Sequence, residues 1–449
     1  MKHSAYPKYK KSGVEWLGDV PHHWNVKRTR FMVAMNPTKQ EINHLPPETE
    51  VQFLPMESVS EDGSLNLETT RPIFEVSSGY TYFAEGDVTF AKITPCFENG
   101  KGAIMRNLQN SFGFGTTELT VIRPGPSLNN EYLYYLTISR DFRKNGEAWM
   151  YGAGGQKRVP DDFVHEFRLA FPPLSEQQAI ADFLDCETGL IDSLNGKKQK
   201  FVELLKEKRT ALISRAVTKG LNPKVKMKPS GVEWLGDVPE HWEVKQARRC
   251  LLEHKQGYYT TDAYVDNGYK LLRITDLDGN GFVKIDDCPS VDIKDEAIPF
   301  LLRDNDFVFA RTGGAGSFGL VKNLKEKTVF ASYLIRFRFS KNTYADFLRY
   351  SFLSKHFVHG IIKNIHGGVN QNVHAEDIKD QFIPLPPLPE QQAIADFLDC
   401  ETGKIDMLMA KVETAIETLK EYRTALISAA VTGKIDVSTG LNTGKREVA

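Results

Sequence analysis

The run SGVEWLGDVPHHW, Ser12 to Trp24, returns as SGVEWLGDVPEHW, Ser230 to Trp242, with His22 replaced by Glu240. A second run, PLSEQQAIADFLDCETGLID from Pro173 to Asp192, returns as PLPEQQAIADFLDCETGKID from Pro387 to Asp406. The offsets, Ser12 to Ser230 and Pro173 to Pro387, are 218 and 214 residues. Between the blocks, Asn25 to Ala170 and Glu243 to Pro384 share almost no such identity. A frame written twice presents equivalent surfaces to two copies of one partner, related by a pseudo-twofold axis. Divergent contents can then recognise two different things.

A chain of 449 residues holds two or three domains, each burying its own core. With 41% hydrophobic and 26% charged residues it reads as globular rather than disordered. The formal net charge of −1 gives no global nucleic-acid signature, so local patches must carry any such reading. The five cysteines, Cys96, Cys186, Cys250, Cys288 and Cys400, include no CxxC pair, which argues against a disulfide or zinc framework. No apolar run reaches the roughly 18 residues that span a bilayer, and Met1 to Lys11 is polar and basic, so the expected compartment is the cytoplasm.

After each Pro-Pro pair, Pro172-Pro173 and Pro386-Pro387, helical periodicity continues for about 45 residues. Alternating steps of four and three from Ile180 meet Leu184, Ile191, Leu194, Phe201, Leu205 and Leu212, with Glu187, Lys198 and Lys208 interrupting. The same steps from Ile394 meet Leu398, Ile405, Leu408, Val412, Ala415, Leu419, Tyr422, Leu426 and Ala429. Such spacing is a coiled-coil seam, and two near-copies in one chain are natural mates. At 1.5 Å per residue each helix would run to roughly 65 Å. Ser175 with Gln178 fits a capping box, and Pro389 suits a first helical turn. Gly220 and Gly433 mark the ends, while Gly189, Gly403 and Asn195-Gly196 are candidate kinks. The expected division is 1–170 (repeated block and first interior), 171–222 (first long helix), 223–384 (second block and interior), 385–437 (second long helix) and 438–449 (polar tail).

The interiors read as one mixed α/β fold with altered surfaces. Tyr333 to Phe339 alternates as a half-buried strand, with Ile335, Phe337 and Phe339 on one face and Arg336 and Arg338 on the other. GDVTFAKITPCFENGKGAI from Gly86 resembles NDFVFARTGGAGSFGLV from Asn305, each a strand entering a glycine-rich turn. EYLYYLTISRDF around Leu133 resembles DFLRYSFLSKHF around Leu348. The repeated GVEWLGDVPxHW pairs Trp16 with Trp24, and Trp234 with Trp242; such pairs anchor a segment onto a core, with partner docking as the alternative.

Enzymatic signatures are missing. There is no GxxxxGK[ST], no HExxH, no cluster with metal-ligand spacing and no NPPY-like tetrapeptide for adenine methylation. Recognition features are more substantial. Lys92, Thr94, Asn99 and Lys101 follow the central strand of the first interior, and Arg311, Thr312 and Ser317 that of the second. A second polar turn precedes each long helix: Gln156, Lys157 and Arg158 in one copy, Asn370, Gln371 and Asn372 in the other. Gln, Asn, Arg and Lys make paired hydrogen bonds to purine edges, while Lys, Arg, Ser and Thr also hold phosphates. The plainer alternative is a pair of solvated loops with glycine hinges.

GVEWLGDVPxHW, the PPLxEQQAIADFLD entry and the closing RTALISAAVTGKIDV together resemble the specificity (S) subunits of type I restriction-modification systems, the HsdS family, over nearly the whole chain up to about Ser438. The resemblance implies two target recognition domains, each reading one half of a bipartite asymmetric DNA site, and an antiparallel coiled-coil spacer from the two long helices. It also implies partners: two methyltransferase (M) subunits carrying S-adenosylmethionine, and restriction (R) subunits using ATP and Mg. The chain itself would hold no cofactor and no catalytic residue. Two rivals stand against this reading, an autonomous methyltransferase or nuclease and a scaffold for protein partners that never touches DNA.

Overall fold

The computed structural model describes residues 4–261, 263–292, 295–312, 314, 316–363 and 372–437. The chain divides into unit 1, Met1–Lys198 with Thr414–Ala449, and unit 2, Gln199–Glu413. Each unit thus takes one interior, the opening part of one long helix and the closing part of the other.

Both interiors share the topology of one four-stranded sheet. In unit 1 the strands Val33–Met35, Leu119–Pro124, Val88–Ala91 and Gly102–Ile104 lie side by side in that order, all antiparallel. In unit 2 the order is Leu251–Gln256, Leu334–Phe339, Asp306–Ala310 and Phe318–Leu320, again antiparallel. A second four-stranded sheet in each holds one parallel pair, Glu50–Leu54 with Phe112–Gly115 and Tyr269–Leu272 with Thr328–Phe330. The expected kinship of the strands entering glycine-rich turns is therefore a shared central strand, buried along its whole length in both copies. The strand expected at Tyr333 is Leu334–Phe339, but it is not half-buried. Arg336 is 3% exposed, donating to Glu253 and to the Pro299 and Leu301 carbonyls, and Arg338 clamps Asp306 at 2.6 and 2.7 Å. Charged side chains occupy a covered face because each guanidinium finds acceptors there.

The two long helices, Leu174–Lys219 and Leu388–Val431, run unbroken through Gly189, Gly196 and Gly403, where an added Cβ would meet nothing within 4 Å. Their starts are not made by Ser175, which lies inside the first turn; Pro173 and Pro387 carbonyls accept the first bonds, from Glu176 and Gln177 and from Glu390 and Gln391. Gln177 and Gln391, 1% and 2% exposed, then tie each helix start to its interior: their amides donate to the Pro172 and Ser127 carbonyls and to those of Pro386 and Asn342. The ends follow expectation. Gly433, at φ +71°, closes a Schellman motif in which Lys434 N donates to Ala429 O, and Gly220, also at φ +71°, donates to Ala216 O.

Within unit 1 the helix segments run antiparallel: Asp192 pairs with Arg423, while the Tyr132 hydroxyl reaches Ala170 O and Val431 O. Within unit 2, Arg209 pairs with Asp406 and Gly220 lies against Glu390. The seam, however, is displaced by one residue in its second column. Ile180, Leu184, Ile191, Leu205, Ile394, Leu398, Ile405 and Leu426 are buried, and Leu212, Val412 and Leu419 half-buried, but Leu194, Phe201 and Leu408 are 43%, 43% and 40% exposed. The covered column is Ala181, Thr188, Asn195, Val202, Arg209 and Ala216 in the first helix, and Ala395, Thr402, Met409, Ile416, Arg423 and Ala430 in the second, none of them exposed. Small residues let helices approach closely, and four of the polar members have partners inside each unit, Thr188 with Tyr135, Thr402 with Tyr350 and the two arginines with their aspartates, while the Asn195 side-chain oxygen is buried without one among the described residues. Choosing the larger apolar residue at each step misplaces this column.

The repeated block links the helices. Trp24 and Trp242 are fully buried. A Cβ on Gly433 would stand 3.2 Å from the Trp24 ring, and one on Gly220 3.2 Å from that of Trp242, while His23 meets Glu176 and His241 meets Glu390. Each block therefore joins the start of one long helix to the end of the other, which is an anchoring role.

Candidate nucleic-acid interface

The two segments singled out in each interior are far apart in sequence and adjacent in space. In unit 1 the turn after the central strand pairs with the ribbon Tyr151–Ala153 and Gln156–Arg158, an antiparallel hairpin with Gly154 and Gly155 at its tip. Ile93 forms a bridge with Arg158, Thr94 N donates to Lys157 O at 3.0 Å, and Lys157 N donates to the Thr94 hydroxyl at 3.2 Å. In unit 2 Thr312 forms the same kind of bridge with Asn372, and Val373 N donates to Arg311 O at 2.9 Å. Asn370 and Gln371 lie outside the described residues.

Electrostatics sorts the candidates. The Arg158 guanidinium grips Glu118 at 2.9 and 2.7 Å, and this pairing holds the Glu118 carboxyl below the usual carboxylate range. The Lys101 ammonium donates to Met56 O at 3.0 Å, so it braces the turn from behind. Gln156, Lys157 and Asn99 are exposed, and Lys92 is half-buried beside a cleft of about 310 Å³ that also takes in Asn36, Lys39 and Tyr80. In unit 2 Arg311 and Thr312 are half-buried and Ser317 is exposed. An exposed two-stranded ribbon has the dimensions that enter a major groove, and lysines beside it suit phosphates.

Four contributors escape the sequence reading. Glu118 fixes Arg158 from 40 positions away, and no local pattern announces it. Trp149 and Tyr151, 52% and 68% exposed, flank and open the ribbon, and their signal was two large aromatics beside a Gly-Gly tip. Buried Arg143 donates to Phe97 O at 2.9 Å and sits over the Phe97 ring, holding the turn; burial pushes its pKa down to about 9.

Among the described residues no helix is long and apolar enough to cross a membrane. The family described as type I restriction modification DNA specificity domain matches residues 45–203 and 253–418, once in each copy. The type I restriction enzyme EcoAI specificity subunit of Escherichia coli is 35% identical over 251 residues, 55% of this chain and 39% of that protein. The MjaVIII specificity subunit of Methanocaldococcus jannaschii is 26% identical over 321 residues, 69% of this chain and 71% of its own. In fold, the HsdS subunit from Thermoanaerobacter tengcongensis superposes with TM-score 0.54 at 18% identity, covering 93% of this chain and 98% of that one. A chain from a type I R-M system structure that addresses complex assembly and conformational transition superposes with TM-score 0.74 at 17% identity, covering 93% and 99%. With two matched copies of its domain joined by a duplicated helical frame, this chain belongs to the type I restriction-modification DNA specificity family.

Proposed function

We propose that the chain is the DNA-reading, non-catalytic subunit of a type I restriction-modification complex, with unit 1 reading one half of a bipartite asymmetric site and unit 2 the other. The observation that carries this reading is the doubled junction: in each unit a polar turn after the central strand is stitched by backbone bonds to a second polar segment that leads into a long helix. Phosphate contacts from Lys92 and Lys157 would set register in unit 1, and Gln156 and Asn99 would reach base edges; Arg311, Thr312 and Asn372 would serve unit 2. The long helices would set the gap between half-sites, about one helical turn or roughly 34 Å. Two M subunits, bringing S-adenosylmethionine, would bind the repeated frame, and R subunits, bringing ATP and Mg, would join for cleavage in the cytoplasm. The functional segments would be 1–170 and 223–384 for reading, 171–222 and 385–437 for spacing, and 438–449 as a tail.

Exchange of residues 25–170 for a relative's interior, followed by mapping of methylated adenines, tests the reading. One half of the recognised sequence is expected to change. A change in both halves, or in neither, sinks the assignment of one half-site to each unit. Methylation by the purified chain alone would favour the autonomous-enzyme alternative, and a lack of salt-dependent DNA binding by the assembled complex would favour the scaffold that never touches DNA.

A further inference from the structure

Where interior meets helix, the two units carry different side chains at one equivalent place. In unit 2 the helix Ala345–Leu353 presents Arg349, 2% exposed. Its guanidinium donates to Asp399 at 2.7 Å and to Asn280 O at 3.0 Å, and its carbon lies 4.0 and 4.3 Å from the ring centres of Tyr350 and Phe282. Tyr350 donates to the same Asp399 at 2.6 Å and bonds Thr402 at 3.1 Å. Unit 1 reproduces the second half of this arrangement: Tyr135 donates to Asp185 at 2.6 Å and bonds Thr188 at 3.2 Å. The residue before it is not arginine but Tyr134. The carboxylate is kept, and the cation that met it is gone.

Space opens there. Tyr134, 9% exposed, has a buried hydroxyl without a hydrogen-bond partner among the described residues and lines a cleft of about 230 Å³ within unit 1. The turn at Gly63 closes over it, since a Cβ there would lie 2.2 Å from the Tyr134 oxygen. The cleft takes in four carboxylates and two arginines; Arg106 pairs with Glu131 and Arg423 with Asp192, which leaves Asp62 and Asp185 facing it with no ion pair among the described residues. Hydrogen bonds from Ser64 hold the Asp62 carboxyl below its usual range, so it is charged at neutral pH. Among the described residues no group of His, Cys, Asp and Glu could hold a metal ion.

We propose that this cleft binds an external guanidinium group in the place that Arg349 fills in unit 2. Its N–H groups donate to Asp185 and Asp62, beside the covered Tyr134 hydroxyl. A planar fork of donors suits spread carboxylates better than a point charge does. The shared chemistry is an alkylguanidinium, carried either by an arginine of a partner protein or by a small molecule.

The test titrates the full chain with methylguanidinium at millimolar concentration, beside tetramethylammonium and sodium at matched ionic strength, and follows both heat release and melting. Methylguanidinium alone is expected to bind and to raise the melting temperature by about 2–4 °C near saturation. Asp185→Asn, which still accepts from Tyr135, is expected to abolish both signals. Tyr134→Arg supplies the group from within and is expected to melt higher and to ignore the ligand; should that variant not fold, Asp185→Asn with calorimetry decides alone. Equal effects from all three cations, no effect of methylguanidinium, or a full response in Asp185→Asn would overturn the proposal. Competition between methylguanidinium and a protein partner identifies an arginine side chain as the occupant, whereas undisturbed assembly identifies a small molecule.

Discussion

Unit 1 and unit 2 repeat many of their bonds along the long helices and part company most at the entrance to the repeated block. Arg423 with Asp192 answers Arg209 with Asp406, and the Ser428 hydroxyl accepts from Arg140 N as that of Ser214 accepts from Lys355 N. At the block, Trp24 donates to Glu176 at 3.0 Å and Tyr6 donates to the same carboxylate at 2.6 Å, whereas the indole N–H of Trp242 is buried with no partner among the described residues. The tryptophans stand in almost identical motifs. The difference lies just upstream, where Tyr6 and Tyr9 stand at the places of Lys224 and Met227. Identity of a motif fixes where its backbone goes; which side chains it satisfies depends on neighbours the motif does not include.

The strongest way to break the agreement lies in the two interiors, where Asp87 and Asp306 are each 1% exposed and each held two-pronged by an arginine, Arg123 and Arg338. If the interiors are one fold, Asp87→Asn and Asp306→Asn should cost similar amounts, about 3 kcal/mol each, at the low end for a broken buried pair because both arginines keep some solvent contact. Hydrogen exchange resolved by unit checks this, with each loss confined to the unit that carries the change. A cost of only about 1 kcal/mol in one unit, the size of an exposed pair, would show that the shared topology hides unequal foundations.

The entrance difference gives the next largest effect. Trp24→Phe removes a hydrogen bond to a charged acceptor and is expected to cost about 1.5–3 kcal/mol beyond the loss of ring volume. Trp242→Phe loses only volume and sheds an unpartnered buried N–H. Denaturant unfolding of the two variants should therefore separate them, and equal losses would mean that the bond from Trp24 to Glu176 contributes nothing net.

The frame was legible in the sequence because repetition exposes it: the helix ends at Gly220 and Gly433, the central strands and the buried tryptophans all follow from residues seen twice. The candidate reading segments were also legible, since Lys92, Thr94, Gln156 and Lys157 are polar residues at turns. Their adjacency was not, because the bridge from Ile93 to Arg158 is a backbone pairing across 65 positions that no local pattern records. The seam was half legible. Leu184, Ile191, Leu398 and Ile405 announce themselves by size, while Ala181, Thr188 and Arg209 are chosen by closeness of approach and by partners on other segments.

That seam offers a contrast on a single helix. Val202 is 1% exposed and Phe201 43% exposed, so Val202→Ala is expected to cost about 1.6 kcal/mol, two methylenes' worth of burial. Phe201→Ala should cost less despite removing far more side chain. Paired denaturation curves test the order, and a larger loss at Phe201 would return the seam to the column set by residue size.

The smallest effect probes the proposed reading surface of unit 1 through pH. Arg158 holds the Glu118 carboxyl below its usual range, so the charged form is favoured by folding. Such a group adds stability that is present above its unfolded pKa and is lost as pH falls through its folded one. Wild-type chain should therefore keep the clamp throughout the neutral range and lose it only in acid, while Glu118→Gln should flatten that part of the acid limb in unit 1 and leave unit 2 unchanged. The same substitution releases Arg158 beside the exposed Lys157, so DNA affinity of the assembled complex should rise slightly and its salt dependence steepen by about one phosphate contact. An unaltered salt slope would place Arg158 outside the DNA surface and leave Lys157, Lys92 and Gln156 as the residues by which unit 1 meets its half-site.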